Sequence, residues 1–354
     1  MINLHKRITP YILCLSLFLV NFLTGCAKSS TTTMATSKPL VRTQFILGTA
    51  VTIKLYDKQS EEILDKAFAK LSELENTLSI NKTNTLIDKV NAQAGKSPVA
   101  VDDETFNLIK KGLYYSELTD GAFDITIGPL VQLWHIGFSD AKIPTQAEID
   151  AVLPLINYEY VTLDETSKTV YLEKEGMMLD LGGIAKGYAA DEIALLLKSN
   201  GVNQAIIDLG GNIYTLGRKD TNKSWTIGVQ DPANPRGATL GTIPSIDQSL
   251  VTSGIYERYL ETEDGTKYHH ILNPKTGYPY NNEIVGVTIL SNTSIDADAL
   301  STAAFALGVD KGLAFIESLE NIDAIFITSD NKLHITSDLK SIFNLTHTNY
   351  TSAS

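Results

Sequence analysis

Residues 204–217 read Gln-Ala-Ile-Ile-Asp-Leu-Gly-Gly-Asn-Ile-Tyr-Thr-Leu-Gly. The apolar runs near 204–208 and 212–217 read as two strands with a glycine pair between them and no space for a helix. Working outward, further strands are expected near 225–229, 250–254 and 284–290, with a last one at 322–328. Gly48–Asp57 alternates Val51, Ile53 and Leu55 against Thr52 and Lys54, a half-buried strand, and 159–174 reads as a hairpin setting Val161 and Leu163 against Val170 and Leu172. Helices flank these runs. From Glu61 onward Ile63, Leu64, Ala67, Phe68, Leu71, Leu74 and Leu78 recur at three and four. A second helix follows Asp102-Asp103 with Phe106, Ile109 and Leu113 inward, and a third runs from about Ala185 to Ser199, closed by Asn200-Gly201. Two more are expected at about 297–307 and 310–319. Strands cluster and helices cluster, so regular βαβ alternation is missing and the fold class is α+β. No linker interrupts 41–340. The expectation is one compact domain over 43–340, with mixed or antiparallel sheets, flanking helices and a C-terminal tail at 341–354.

The 354 residues carry 29 basic and 41 acidic side chains, a net charge of −12, with 43% hydrophobic and 20% charged residues. Those are globular values, which exclude disorder, collagen and coiled coil as whole-chain descriptions. The acidic balance argues against nucleic acid as a partner and against a broad electrostatic hold on anionic lipid. An anionic ligand would need a local site, with a metal ion supplying the missing positive charge.

Lys6 and Arg7 precede the apolar stretch Tyr11–Leu23, too short for a comfortable transmembrane helix, and Leu23-Thr24-Gly25-Cys26 closes it. That is the layout of an export signal at 1–25, whose end looks like a bacterial lipobox with Cys26 as the lipidated, palmitate-bearing residue. The plainer alternative is an uncleaved anchor. Residues 26–42, rich in Ser and Thr, read as a flexible tether. The expected location is the cell membrane, lipid-anchored on its extracytoplasmic face. Only Cys14 and Cys26 exist, so cleavage and lipidation leave no thiol for a disulfide, a nucleophile or a cysteine-ligated metal.

Four stretches could carry chemistry. Asp180–Ala189 (DLGGIAKGYA) sets three glycines and Lys186 where a strand gives way to a helix. Its backbone N–H groups would suit an anion, or it is a plain tight turn with a surface lysine. Asp298 and Thr302, four apart on a helix, share one face among small apolar neighbours. Two hard oxygens suit Mg²⁺ or Ca²⁺, while the structural reading is a capping Asp with an interior Thr, Asp296 being the better cap. His269-His270 lie before Ile271, and in a strand only one of the pair can face inward, as a proton relay or a satisfied core histidine. Thr119–Leu130 puts Phe123 beside Asp124 after a glycine turn, which could hold a planar ring or simply join a helix to a loop. Asp-Leu-Gly-Gly occurs at 180–183 and again at 208–211, as similar turns or as a duplication. Neither copy makes a dinucleotide or P-loop fingerprint.

The order of these stretches decides the reading. Phe45–Thr49, Thr119–Leu130 with Trp134, Asp180–Ala189, Asp208–Asn212, Ser253-Gly254, His270–Gly277 and Asp298–Gly308 together resemble the ApbE family, over nearly all of 43–340. The resemblance implies an FAD:protein FMN transferase: FAD is the substrate, Mg²⁺ the cofactor, AMP the leaving product, and a Thr or Ser hydroxyl of a target protein the acceptor. It implies a metal held by Asp298, Thr302 and a main-chain oxygen at Gly183. Flavin-nucleotide contacts would fall on Leu47, Asn81, Ala122, Phe123, Asp124, Asp180, Lys186 and Ile271, with His270 near the reaction centre. His270 or a metal-side carboxylate such as Asp298 is the expected base. Two departures stand out: Leu47 replaces the usual methionine, a volume-conserving swap, and Asn81 stands where many relatives carry Tyr. The lost ring opens a rival reading, an exported FAD pyrophosphatase giving FMN and AMP. A solute-binding lipoprotein is a further rival, which would show two βαβ lobes.

Overall fold

The computed structural model describes residues 38–353, so the signal at 1–25, Cys26 and most of the tether lie outside the described residues. One sheet of nine strands organises the rest. Its strands are β1 (Leu40–Ile46), β2 (Thr49–Leu55), β3 (Ala205–Leu209), β4 (Asn212–Leu216), β5 (Gln248–Gly254), β6 (Ile284–Ser291), β7 (Ile322–Thr328), β8 (Lys332–Ile335) and β9 (Thr351–Ser352). They lie side by side in chain order. Every neighbouring pair is antiparallel except the last, where β9 runs parallel to β8. Antiparallel neighbours need only tight turns, so helices enter as excursions rather than as obligatory crossovers. That excludes the two βαβ lobes expected of a solute-binding protein.

The longest excursion, between β2 and β3, holds α1 (Glu61–Leu78), α2 (Leu86–Ala92), α3 (Asp103–Leu118), α4 (Gly128–Trp134), α5 (Gln146–Val152) and α6 (Ala185–Ser199). It also carries a three-stranded sheet from 99–100, 169–172 and 161–164, with Val161 opposite Leu172 and Leu163 opposite Val170 as expected. Between β4 and β5, Trp225–Gln230 and Thr239–Ser245 form a second small sheet, joined by Asn344–Leu345. Between β6 and β7 lie α7 (Ser294–Leu307) and α8 (Val309–Glu317). The last residues, read from the sequence as a tail, thus supply strands to two sheets. Likewise β1 begins inside the stretch read as tether.

Both faces of the sheet are covered. In β7, Ala324 and Phe326 join the core shared with α1, α6 and α7, while Ile325 and Ile327 join the opposite core with Trp225, Ile227 and Ile243. Covering both faces makes the run apolar at every position, which is why 322–328 is legible without alternation. In α1 all seven expected apolar residues are buried, and Ser60 caps the helix by accepting from Ile63 N–H. Asp102 caps α3 in the same way, accepting from Thr105 N–H. The expected cap of α7 is corrected. The helix starts at Ser294, and the carboxylate on its first free N–H groups is Asp191 of α6, which accepts from Ser294 at 2.8 Å and Ile295 at 2.9 Å. Asp296 instead accepts from Tyr115 Oη at 2.6 Å and pairs with Lys111. Among the described residues no helix is long and apolar enough to cross a membrane.

Candidate active site

Helix α7 offers Asp298 and Thr302 one turn apart. Asp298 is 3% exposed, and a carboxylate so deep must be satisfied. Its Oδ2 accepts from Gly187 N–H at 2.8 Å. Gly187 is required there: a Cβ on it would fall 2.7 Å from Ile295 Cα, so only glycine lets the start of α6 approach α7. The other oxygen, Oδ1, meets only Lys186 Nζ, at 3.4 Å, well beyond a charge-assisted bond of about 2.8 Å. One oxygen is therefore anchored to backbone, and one retains capacity for a cation.

Gly183 completes this corner. A Cβ on it would stand 2.9 Å from the Phe123 ring and 3.7 Å from Thr302 Oγ1, so its backbone runs between the two. Asp180 closes the preceding turn by accepting from Gly182 N–H at 2.7 Å, and its own N–H donates to Ile125 O at 2.8 Å. That bond lays the 119–130 loop against the 180–187 turn. Burial raises the Asp180 carboxyl pKa, against the pull of Lys186 and Arg258. Phe123 is buried under Gly183, so its ring supports the corner rather than offering an open stacking face. Asp124 is likewise committed, accepting from Thr126 N–H and Oγ1 and from Tyr158 N–H. An open cleft of about 370 Å³ lies against Gly121 and Asp124, lined also by Tyr158 and Lys275, and none of Asp180, Gly183, Lys186, His270, Asp298 or Thr302 lines it.

The two histidines separate as alternation requires. His269 donates from Nε2 to Tyr280 O at 2.8 Å and accepts at Nδ1 from Ile271 N–H, leaving no free nitrogen. His270 faces the other way. Its Nδ1–H donates to Arg258 O at 3.1 Å, which fixes the tautomer and leaves the Nε2 lone pair free. Burial lowers its pKa to about 4, helped by the nearby charges of Arg258 and Lys186, so the ring is neutral at pH 7. Arg258 also donates to Gly48 O at 3.0 Å, tying in the β1–β2 turn. Both turn residues are left-handed, Leu47 at φ +55° and Gly48 at +68°. Such a φ costs a leucine about 1–2 kcal/mol, and it is held by the Leu47 N–H bond to Glu75 Oε1 at 2.8 Å.

Gly183, Asp298, Thr302, Lys186, Phe123 and Asp180 thus form one cluster, and His270 lies within electrostatic reach of Lys186. Leu47 and Ala122 lie at the edge of this cluster: Arg258 reaches Gly48 next to Leu47, and the Ala122 carbonyl accepts from Tyr280 Oη at 3.1 Å. The Ile271 side chain is core and its backbone is engaged, the N–H by His269 Nδ1 and the carbonyl by Tyr280 N–H at 3.0 Å, so the expected ligand contact at Ile271 is not left open. Asn81 stands apart: it is exposed, and its bonds go to Ser79 Oγ and, from Gln132 Nε2, at 3.4 Å. Sequence reasoning missed Arg258, Tyr280 and the anchoring role of Gly187. Arg258 lies just beyond Ser253-Gly254 in a loop with no periodicity, so only its charge could have drawn notice.

The donors at Gly183, Asp298 and Thr302 are hard oxygens with a single carboxylate among them. No group of three or more His, Cys, Asp or Glu side chains is placed to share an ion among the described residues. The set fits a small divalent cation of the Mg²⁺ kind, which keeps waters and takes further oxygens from a phosphate ligand.

This architecture is found in known proteins. The ApbE family pattern matches residues 47–326. An FAD:protein FMN transferase of Klebsiella pneumoniae is 41% identical over 292 residues, covering 82% of this chain and 90% of that protein. One from Treponema pallidum is 37% identical over 309 residues, covering 82% and 85%. Among solved structures, the ApbE protein of Thermotoga maritima superposes with a TM-score of 0.79 at 32% identity, over 86% of this chain and 99% of that one. The flavin transferase ApbE of Vibrio cholerae gives 0.77 at 28% identity, over 86% and 99%. With its sheet and most of its length shared with these proteins, the chain belongs to the ApbE family.

Proposed function

We propose that this chain is an Mg²⁺-dependent FAD:protein FMN transferase, held at the extracytoplasmic membrane face through Cys26 and acting on a Thr or Ser hydroxyl of an exported or membrane protein. The observation that carries the reading is the corner where Gly183 meets Thr302 and the free oxygen of Asp298. A diphosphate brings negative charge to a protein of net charge −12, and the corner answers it with a cation seat and Lys186. A bound divalent ion would offset the charge gathering on the diphosphate oxygens.

The protein's own groups do the rest. His270, neutral and with Nε2 free, accepts the proton of the incoming hydroxyl. That oxygen bonds to the FMN phosphorus as the bond to the AMP oxygen breaks, and AMP leaves. Lys186 holds diphosphate charge as a point cation. Asp298 and Thr302, both on α7, would hold the divalent ion that positions the phosphate end.

The exposed Asn81, with no ring at that position, favours a second reading in which water replaces the acceptor and FMN is released. Incubation of the purified chain with FAD, Mg²⁺ and a candidate exported acceptor separates these outcomes. A covalently fluorescent acceptor band with AMP supports transfer, and free FMN with AMP and no labelled band supports hydrolysis. Intact FAD refutes both.

A further inference from the structure

Proton bookkeeping around Thr302 leads to a residue outside the site. Ser301 Oγ–H donates to Asp298 O at 2.8 Å, a back-bond to the helix carbonyl three residues earlier. A serine hydroxyl has one proton, so Ser301 Oγ can only accept from its other partner, Ser253 Oγ, at 2.7 Å. The Ser253 proton is then spent on Ser301, and Ser253 can only accept from Thr302 Oγ1, at 3.4 Å. The chain of donation runs Thr302 to Ser253 to Ser301 to Asp298 O, in one direction, because its end is a carbonyl.

We propose that Ser253 is a positioning residue for the cation seat: by taking the Thr302 proton it keeps a lone pair of that oxygen turned toward Gly183 and the ion. The inference rests on the metal reading of Asp298 and Thr302. Ser253 lies on β5 and Ser301 is buried on α7, so each acts on the ion through Thr302. Without Ser253 the Thr302 hydroxyl rotates freely. Without Ser301 the Ser253 proton is released and can turn to Thr302, occupying the lone pair the cation needs.

Mn²⁺ binding to the full chain in the presence of FAD, read by electron paramagnetic resonance, tests this without turnover. Ser253→Ala and Ser301→Ala should each weaken Mn²⁺ by about 10-fold, the range for groups that orient metal ligands. Ser253→Thr, which keeps the hydroxyl, should bind as the unaltered chain does, and FAD affinity without metal should be unchanged. Thr302→Val and Asp298→Asn separate the two levels. If both weaken Mn²⁺ while Ser253→Ala does not, the relay is wrong and the seat stands. If neither changes Mn²⁺ binding, the seat falls and the relay with it. A loss in Ser253→Ala that Ser253→Thr fails to restore would also overturn the proposal, because it marks a packing defect.

Discussion

Asp-Leu-Gly-Gly at 180–183 and at 208–211 invites comparison, since identical tetrapeptides lead the chain into opposite kinds of structure. In the second copy Gly210 and Gly211 take φ of +69° and +99° and close the hairpin between β3 and β4, with Asp208 accepting from Gly211 N–H at 3.0 Å. The first copy has neither glycine at positive φ. Asp180 accepts from Gly182, one residue earlier in the turn, and the chain enters α6. The neighbouring residues decide: Ile184-Ala185-Lys186 can start a helix, whereas Asn212-Ile213-Tyr214 continues a strand. The aspartate accepts a nearby backbone N–H in both places, two residues on in the first copy and three in the second, so the motif acts as a local turn device in each. Only the first copy is set against α7, with Gly183 beside Thr302.

Substitutions can break that distinction, and the largest effect falls on the partner of the first copy. Asp298→Asn keeps an acceptor for Gly187 N–H but removes the charge from the proposed cation seat. AMP release from FAD should drop on the order of 10³-fold, with the thermal midpoint held within a few degrees. A mutant that releases AMP at the normal rate would end the metal assignment. Next, Gly183→Ala presses a methyl onto the Phe123 ring beside Thr302, and a shift of that corner should cost about 10²-fold in turnover with little loss of stability.

The second copy should answer in stability instead. Gly210→Ala would set its Cβ on Thr49 Oγ1 in a left-handed backbone, so chemical denaturation should show about 2–3 kcal/mol lost. Gly211→Ala meets nothing within 4 Å and bears only the φ penalty, about 1–2 kcal/mol. If either abolished turnover in the folded protein, the division of labour between the copies would be wrong.

The finest contrast is between adjacent histidines. The pKa of His270 is pushed down from 6.5 to about 4, so its neutral form persists until pH falls to about 4. The acid limb of turnover should sit near pH 4, not 6.5. Stability runs with the opposite reference: the unfolded chain takes up this proton first, so the fold weakens as pH drops from 6.5 toward 4. A limb at the ordinary histidine value that His270→Gln leaves in place would remove His270 as the base.

Long elements were legible because burial writes a period into them. The residues Ile63 to Leu78 of α1, the span Ala185–Ser199 and the strand at 322–328 come directly from spacing and apolar runs. Short elements were not: α2, α4, β8 and β9 carry too few turns or pairs to show a period. β1 was hidden by exposure, since Val41 and Phe45 face solvent and break the alternation a half-buried strand would display. In the site, the i, i+4 pair Asp298–Thr302 was visible because helix geometry alone puts it on one face. The cap of α7 was misread because its carboxylate, Asp191, comes from another helix more than a hundred residues earlier.

The amino-acid order by itself determined the long helices and the pairing of an acid with a hydroxyl, which depend on intervals of a few residues, and the α+β class and family resemblance, which depend on the order of elements and motifs along the chain. Tertiary structure alone decided which Asp298 oxygen is free, which histidine keeps an open nitrogen, and that Arg258 spans the β1–β2 turn and His270. The Asp298 and Arg258–Gly48 contacts join groups more than a hundred residues apart, and the packing of α6 on α7 fixes the first of them. The histidine partners Arg258 and Tyr280 stand only 11 or 12 residues away, but they come from loops whose course no local period dictates.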